Sequence, residues 1–201
     1  MKGADYERIK KIVGDIYEEH SDIMSRIPLD IFEVAREMGF KIIKASQRIG
    51  INHEKVLQFI EINKNKDVFG FSFYNSLTEE FVIYIDDVNA KTNKQRFSLA
   101  HEIGHIALGH IEGVKDEKLA EDEADYFAGY ILCPECLARN EDIFNEIYEE
   151  PFKLSYLFGI AEDTAMIKYR HFCNRNALSP DLGCNYEEII MSCLERSVLT
   201  K

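Results

Sequence analysis

The chain has 201 residues, of which 46% are apolar and 30% are charged, and it carries 24 Lys and Arg against 36 Asp and Glu, a formal net charge of −12. These proportions argue against extensive disorder and are typical of a soluble globular protein with room for one substantial hydrophobic core. The excess of negative charge repels phosphate backbones and anionic lipid, so it disfavours direct, nonspecific binding to nucleic acid.

The start of the chain and the cysteines bear on location. Residues 1–11 are charged and lack an apolar core for export, and no apolar run approaches the roughly 20 residues of a membrane span. We therefore expect a cytoplasmic protein that contacts no membrane. The five cysteines are then expected to be reduced thiols, and the lone Cys133–Cys136 pair is a weak indication of a second metal site.

The first third of the chain predicts two helices and a strand. A stripe of apolar residues between charged ones predicts an amphipathic helix over residues 4–19. A second apolar pattern, opened by Pro28 and ended by Gly39, predicts a helix over residues 29–38. Residues 40–45 are then expected to form a strand.

The middle of the chain changes to β-branched and aromatic runs with polar or glycine-containing segments between them. Residues 56–62, 68–74 and 81–85 are expected to form three antiparallel strands. Residues 86–94 are polar and turn-like. Strands early in the chain and helices late in it predict an α+β fold.

The second half of the chain predicts helices. Apolar residues at helical spacing predict single helices at 95–110, 117–132, 141–149 and 186–199. The same spacing predicts one or two helices within residues 151–172. There is no internal repeat and no Gly- or Ser-rich linker, so we expect one domain.

The helix predicted at 95–110 carries a metal-site motif. His101 and His105 lie four residues apart, hence on one face of a helix and close enough to bind one ion together. Neutral imidazole is a good zinc ligand, and two ligands on one rigid helix lose little freedom on binding. Glu102 lies in the same turn, where it can take a proton from a water and later pass it to a leaving amine. The motif therefore predicts a zinc site with Glu102 as general base and acid of amide hydrolysis.

A catalytic zinc site usually has a third protein ligand. Glu121 and Asp125 share one face of the helix predicted at 117–132, so both could face the histidines. We expect Glu121 to bind the metal and Asp125 to accept a hydrogen bond from the outer nitrogen of a ligand histidine. Two alternatives remain: Glu123, if the helical phase is shifted, and His110, which would be turned away from the ligand face if its helix continued.

A purely structural interpretation is also open, because two histidines on an amphipathic helix are often a polar pair that only hydrogen-bonds its neighbours. The intervening Glu102, the small Gly104 and the acidic helix downstream favour the metal site. Three other side chains could each stabilise an oxyanion, but aromatic residues at helical spacing usually pack in a core, and none is assigned that role: Tyr126, Tyr130 and His171.

The residues around the motif resemble the ImmA/IrrE family of metallopeptidases, small bacterial and prophage-encoded proteins. The resemblance rests on the run from Arg96 to His105 and on the Glu121-x-x-Ala124-Asp125-x-Phe127-Ala128 pattern that follows it. It extends over residues 25–172. Cys133 departs from the family pattern, in which a Met commonly precedes the proline.

The resemblance implies a gluzincin-like zinc site with three ligands and one catalytic acid and base: His101, His105 and Glu121, with Glu102. It also implies a protein substrate, a helix-turn-helix repressor or other regulatory protein of a prophage, mobile element or stress response. The alternative is a non-hydrolytic antirepressor or antitoxin-like regulator with a structural metal site. A small-molecule amidase is a third class.

The predicted architecture is one metallopeptidase domain over residues 1–201, with an unknown oligomeric state. In this α+β fold a small antiparallel sheet packs against a zincin-type helical core, with additional C-terminal helices. We also expect the strand at 81–85 to form the sheet edge beside the cleft, where an extended substrate could pair with it. Within the domain we expect an N-terminal helix, a zincin-like core and a C-terminal helical part: 1–24, 25–135 and 136–201.

Overall fold

The computed structural model describes residues 4–47, 69–139, 150, 152–173 and 185–198. The strand expected at 56–62 and the helix expected at 141–149 lie outside these residues. The described part confirms the α+β class. It contains α1 (Tyr6–Glu19), α2 (Ser21–Met24), α3 (Ile31–Glu37), β1 (Lys41–Lys44), β2 (Gly70–Asn75), β3 (Glu80–Ile85), α4 (Thr92–Ala107), α5 (Glu117–Leu132), α6 (Lys153–Phe158), α7 (Glu162–Cys173) and α8 (Asn185–Val198), with short 3-10 helices at Ala45–Gln47, His110–Glu112 and Glu135–Arg139.

Local capping sets the ends of the N-terminal helices. Asp5 caps α1 and Asp30 caps α3, each by accepting hydrogen bonds from backbone N–H groups of the first turn. Gly39 follows α3 with a φ of +78°, a conformation that favours glycine. Both predicted helices are confirmed, and α3 begins after the Asp30 cap rather than directly after Pro28.

The sheet is mixed, with strand order β1-β3-β2. β3 pairs antiparallel with β2, as expected, but in parallel with β1, because the chain between β1 and β3 is long enough for a crossover. The expectation that residues 81–85 form the sheet edge is wrong, since β3 lies at the centre. Its unbroken apolar run, with Val82 to Ile85 buried, suits a strand that is covered on both sides.

The helices α4 and α5 pack closely where Gly104 faces Phe127. A Cβ at position 104 would lie 3.0 Å from Cδ1 of Phe127, so a side chain there would force Phe127 or the helices to move apart by a few tenths of an ångström. Phe127 is fully buried. The contact therefore fixes the separation between the histidine-bearing face of α4 and the acidic face of α5.

Two polar side chains join α4 to the C-terminal helices through three hydrogen bonds. The guanidinium of Arg96 donates to the carbonyl oxygens of Phe158 and Gly159 at 3.1 and 3.0 Å, and the amide of Asn93 donates to the carbonyl of Ile160 at 3.1 Å. These bonds satisfy carbonyl groups at the end of α6, where no helical N–H remains to reach them. The helix that carries the motif is thereby held at its N-terminal end.

The described cysteines and helices bear on two composition-based expectations. The four cysteines that the structure describes form no disulfide. Cys133 and Cys136 are buried, and neither belongs to a potential metal cluster in the described part of the chain. None of the described helices is both long enough and apolar enough to cross a bilayer.

Candidate metal centre

Three side chains from α4 and α5 converge on one point. The Nε2 atoms of His101 and His105 lie 3.0 Å apart. Glu121 places Oε2 3.3 Å from Nε2 of His101 and Oε1 3.4 Å from Nε2 of His105. Among the described residues, this is the only group of three or more side chains whose ligand atoms could surround a metal ion. The structure thus brings together the three residues that the sequence predicted as ligands.

The spacing of these atoms fits a tetrahedral metal ion. Zn–N and Zn–O bonds of about 2.0 to 2.2 Å at tetrahedral angles separate neighbouring ligand atoms by roughly 3.3 Å. The two Nε2 atoms lie 3.0 Å apart, and each lies 3.3 or 3.4 Å from a different oxygen of Glu121, which is close to that value. Two imidazoles and a carboxylate are donors that zinc accepts, and three protein ligands leave a fourth position for water or substrate.

The electrostatics of the cluster favour a positive charge. Burial alone would lower the pKa of His101, but hydrogen bonds to the carboxylates of Asp125 and Glu121 outweigh it and raise the pKa to about 10. Hydrogen bonds from His101 and His105 hold the pKa of Glu121 far below its usual range. The carboxylate of Glu121 therefore stays ionised beside the two imidazoles, where it can bind a cation.

Asp125 lies one turn beyond Glu121, behind the first histidine. Its Oδ1 is 2.8 Å from Nδ1 of His101. A proton on Nδ1 that is donated to Asp125 leaves the lone pair of Nε2 directed at Glu121 and the cation position. Asp125 thus occupies the place that the sequence predicted for it.

The two alternative ligands, His110 and Glu123, do not belong to the cluster and lie beyond the Nδ1 side of His105. The helix α4 ends earlier than expected, and Gly109, with a φ of +78°, turns the chain back. His110 therefore does not point away but places Nδ1 3.0 Å from Nδ1 of His105. Its Nε2 lies 3.3 Å from Oε2 of Glu123. A helix continued through residue 110 does not predict this contact, although Gly109 is a recognisable helix terminator.

Glu102 points toward the sheet and is only 7% exposed. The hydroxyl of Ser72 on β2 donates to Oε2 of Glu102 at 2.6 Å. Burial raises the pKa of Glu102, while this hydrogen bond acts in the opposite direction. A carboxyl group with a raised pKa next to a metal site is suited to taking up and releasing protons. Nothing in the sequence indicates that Ser72 contacts Glu102, because its position depends on how β2 packs against α4.

An open cleft of about 700 Å³ contains these groups. It is bordered by the ligand histidines, by Glu102, by residues 69–72 around the start of β2, and by an apolar wall that includes Ile111 and Val114. Substrate atoms could therefore reach the metal position and the proton-carrying carboxylate together.

The three side chains considered for oxyanion binding do not line this cleft. Tyr130 is fully buried and stacks on Tyr126 with a centroid distance of 6.0 Å. His171 lies 3.2 Å from a carboxylate oxygen of Glu135. The two tyrosines agree with the packing interpretation, whereas His171 is half-exposed and contacts Glu135 instead of packing in the core.

The α+β fold and the convergence of two histidines, a carboxylate and a buried glutamate are typical of metal-dependent hydrolases. A comparison with protein families agrees with that class: residues 60–166, more than half of the chain, match the model of the IrrE N-terminal-like domain, a peptidase family. The chain belongs to this family of metallopeptidases, which confirms the resemblance drawn from the motif. No curated protein matches the chain.

Proposed function

We propose that this protein is a zinc-dependent endopeptidase. His101, His105 and Glu121 would hold the zinc ion, and Glu102 would move the proton. The observation that carries the proposal is the convergence of two imidazole nitrogens and the Glu121 carboxylate, at separations of 3.0 to 3.4 Å, beside a buried carboxylate in an open cleft.

Each protein group has a definite task in peptide hydrolysis. A bound zinc ion supplies Lewis acidity, which lowers the pKa of water and polarises a peptide carbonyl. Glu102 takes the proton from the attacking water and delivers it to the leaving nitrogen. Ser72 holds Oε2 of Glu102, so the carboxylate does not have to be oriented anew in each turnover. Asp125 holds the ring of His101 in the tautomer that leaves Nε2 for the metal.

The cleft favours an extended peptide over a small amide as substrate. It has a volume of about 700 Å³ and is bordered by Gly70 to Ser72 of β2. A segment of several residues could lie along this border, which would place one of its peptide bonds beside Glu102. The strand at 81–85 does not offer an edge for this contact, because β3 lies at the centre of the sheet.

For the natural substrate we propose a regulatory protein, namely a helix-turn-helix repressor of a prophage, mobile element or stress response. Membership of the peptidase family and the net charge of −12 support this choice, because DNA-binding proteins are commonly basic and would be attracted to an acidic partner. The cytoplasmic location and the one-domain division of the chain remain predictions.

Cleavage of a partner by metal-loaded protein tests the proposal. The full chain with measured zinc content is incubated with the regulator encoded beside its gene, in parallel with Glu102→Gln and with the control Glu162→Gln on α7. We expect cleavage by the parent and the control, and none by Glu102→Gln despite full zinc content. An intact regulator in the presence of zinc-loaded parent would contradict the substrate. Regulation that survives Glu102→Gln would instead support the non-hydrolytic alternative.

A further inference from the structure

Each ligand histidine has a hydrogen-bonding partner at Nδ1, the ring nitrogen that faces away from the metal position, and the two partners differ. Nδ1 of His101 faces the carboxylate of Asp125 at 2.8 Å. Nδ1 of His105 faces Nδ1 of another imidazole, His110, at 3.0 Å. We propose that His110 is a positioning residue that orients His105 for metal binding, and that Glu123 keeps His110 in the tautomer this role requires. The proposal rests on the metal site of the proposed function.

The hydrogen-bonding directions follow from the ligand geometry. Nε2 of His105 faces Nε2 of His101 and Glu121, so its lone pair is needed for the metal. The proton of a neutral His105 ring must then be on Nδ1, which donates to Nδ1 of His110. His110 accepts at that nitrogen only if its own proton is on Nε2. Nε2 of His110 lies 3.3 Å from Oε2 of Glu123, and a carboxylate oxygen can only accept. Each hydrogen bond therefore has one donor and one acceptor.

The turn after α4 is built to hold this arrangement. Gly109 adopts a φ of +78°, which brings the His110 side chain back over the end of the helix. The His110 and Glu123 side chains are only 9% and 12% exposed. A carboxylate with so little access to water is costly unless its oxygens are hydrogen-bonded. The bond to His110 supplies such a partner, so the pair is more than apolar packing.

The N-terminal helix supports the same pair. The backbone N–H of Asp5 donates to Oε1 of Glu123 at 3.4 Å, and the guanidinium of Arg8 donates to the carbonyl of Leu108 at 3.2 Å. The bond from Asp5 engages the oxygen of Glu123 that does not face His110. The bond from Arg8 anchors the turn that precedes His110. The N-terminal helix, to which the motif assigned no role, is thereby connected to the metal position.

Zinc affinity of the full chain tests the proposal without relying on activity. His110→Phe keeps an aromatic ring but removes the acceptor, and we expect it to weaken zinc binding about 10- to 100-fold in competition with a chelator. His110→Asn retains an acceptor oxygen near the former Nδ1 and should restore most of the affinity. Glu123→Gln should weaken zinc binding less, with no further loss when it is combined with His110→Phe, because it acts through that ring. His20→Phe is the matched control and should bind zinc like the parent.

The outcomes separate this proposal from the proposed function. A parent chain that does not bind zinc contradicts the metal site itself. A parent that binds zinc while His110→Phe binds it equally well contradicts only the positioning role. Complete loss of binding in His110→Phe, with an altered absorption spectrum of the cobalt-loaded His110→Asn variant, would identify His110 as a ligand and overturn the proposal. Should His110→Phe fail to fold, Glu123→Ala decides: an affinity equal to that of the parent contradicts the proposal, and a several-fold loss supports it.

Discussion

The hydroxyl of Ser72 lies 2.6 Å from Oε2 of Glu102 and donates a hydrogen bond to it, which joins the strand at the cleft to the helix that carries the metal ligands. Gly70, two residues earlier on β2, has a different task, because a Cβ there would lie 3.0 Å from Cδ1 of Ile85 and 3.1 Å from the carbonyl oxygen of Tyr84. Gly70 therefore allows β2 to pack closely on β3, and Ser72 on the same strand places the buried carboxylate.

Replacing Ser72 with Ala should impair turnover without removing the metal. We expect kcat to fall about tenfold or more, because a proton-transferring carboxylate that is free to rotate is less often in position. The lost bond favours the ionised form, so its removal should raise the pKa of Glu102 further and move the acidic limb of the pH–rate profile to higher pH. Zinc content should not change.

The measurement is kcat against pH for Ser72→Ala and for Ser76→Ala, the same change at the exposed turn after β2. Ser76→Ala should follow the parent. A Ser72→Ala profile that superimposes on that of the parent in both height and position would show that the hydrogen bond is unimportant for the reaction.

Removal of the carboxylate behind His101 should act on metal affinity. Asp125→Ala leaves Nδ1 of His101 without the acceptor that fixes its tautomer, so we expect zinc affinity to fall about 10- to 100-fold. Asp125→Asn keeps an acceptor oxygen but loses the charge, so its zinc affinity should lie between that of Asp125→Ala and that of the parent. Chelator competition measures this, with Asp122→Asn on the same helix as control. Equal affinities for parent and Asp125→Ala would contradict the role of Asp125.

The contact between α4 and α5 should tolerate no added methyl group. Gly104→Ala gains about 1 kcal/mol of helix propensity, but its Cβ would lie 3.0 to 3.2 Å from three atoms of Phe127, which is fully buried and cannot yield easily. We expect a net loss of about 1 to 3 kcal/mol in the free energy of unfolding. Weaker zinc binding should accompany it, because α5 carries Glu121.

Urea unfolding and chelator competition measure both effects. Gly129→Ala is the matched control, since a Cβ there meets its nearest atom, Cε of Lys168, at 3.4 Å, an ordinary contact. It should be neutral or stabilising. A Gly104→Ala variant as stable as Gly129→Ala would mean that the helices can separate without cost.

The sequence predicts those parts of the site that depend on the geometry of one helix. Spacing of four residues places His101 and His105 together on α4, and the same period places Glu121 and Asp125 together on α5. The α+β class follows in the same way from local patterns. Only the convergence of the two helices depends on the tertiary structure, in which Gly104 allows them to pack closely.

The remaining features depend on where the chain changes direction and on how distant segments pair. Gly109 ends α4 and returns His110 to the cluster, which a helix continued through residue 110 cannot represent. Strand order is not chain order, so the sequence could not place β3 at the centre of the sheet. Ser72 reaches Glu102 only because β2 packs beside α4, and nothing in its own segment indicates that contact.

An ion pair far from the cleft should make stability depend on pH. Glu135, after α5, lies 3.3 Å from Nζ of Lys168 on α7, and the two side chains are 12% and 7% exposed. Burial alone would raise the pKa of Glu135, but Lys168 and His171 outweigh it and lower the pKa below its ordinary value. A lowered pKa in the folded state means that the ionised carboxylate stabilises the fold. That contribution is fully present above the unfolded pKa of about 4.3 and is lost as the pH falls through the folded pKa.

Glu135→Gln removes the charge and nearly keeps the shape, so it should lower the free energy of unfolding by about 1 to 3 kcal/mol at pH 7. As the pH falls below the unfolded pKa and through the lowered folded pKa, the parent carboxyl group becomes neutral as well, and the difference between the two proteins should shrink. Urea unfolding at pH 7 and pH 3.5 measures this. Glu150→Gln is the control, because its pair with Lys153 is exposed and should contribute little at either pH. A loss of equal size at both pH values would show that the effect of Glu135 comes from packing and hydrogen bonding, not from its charge.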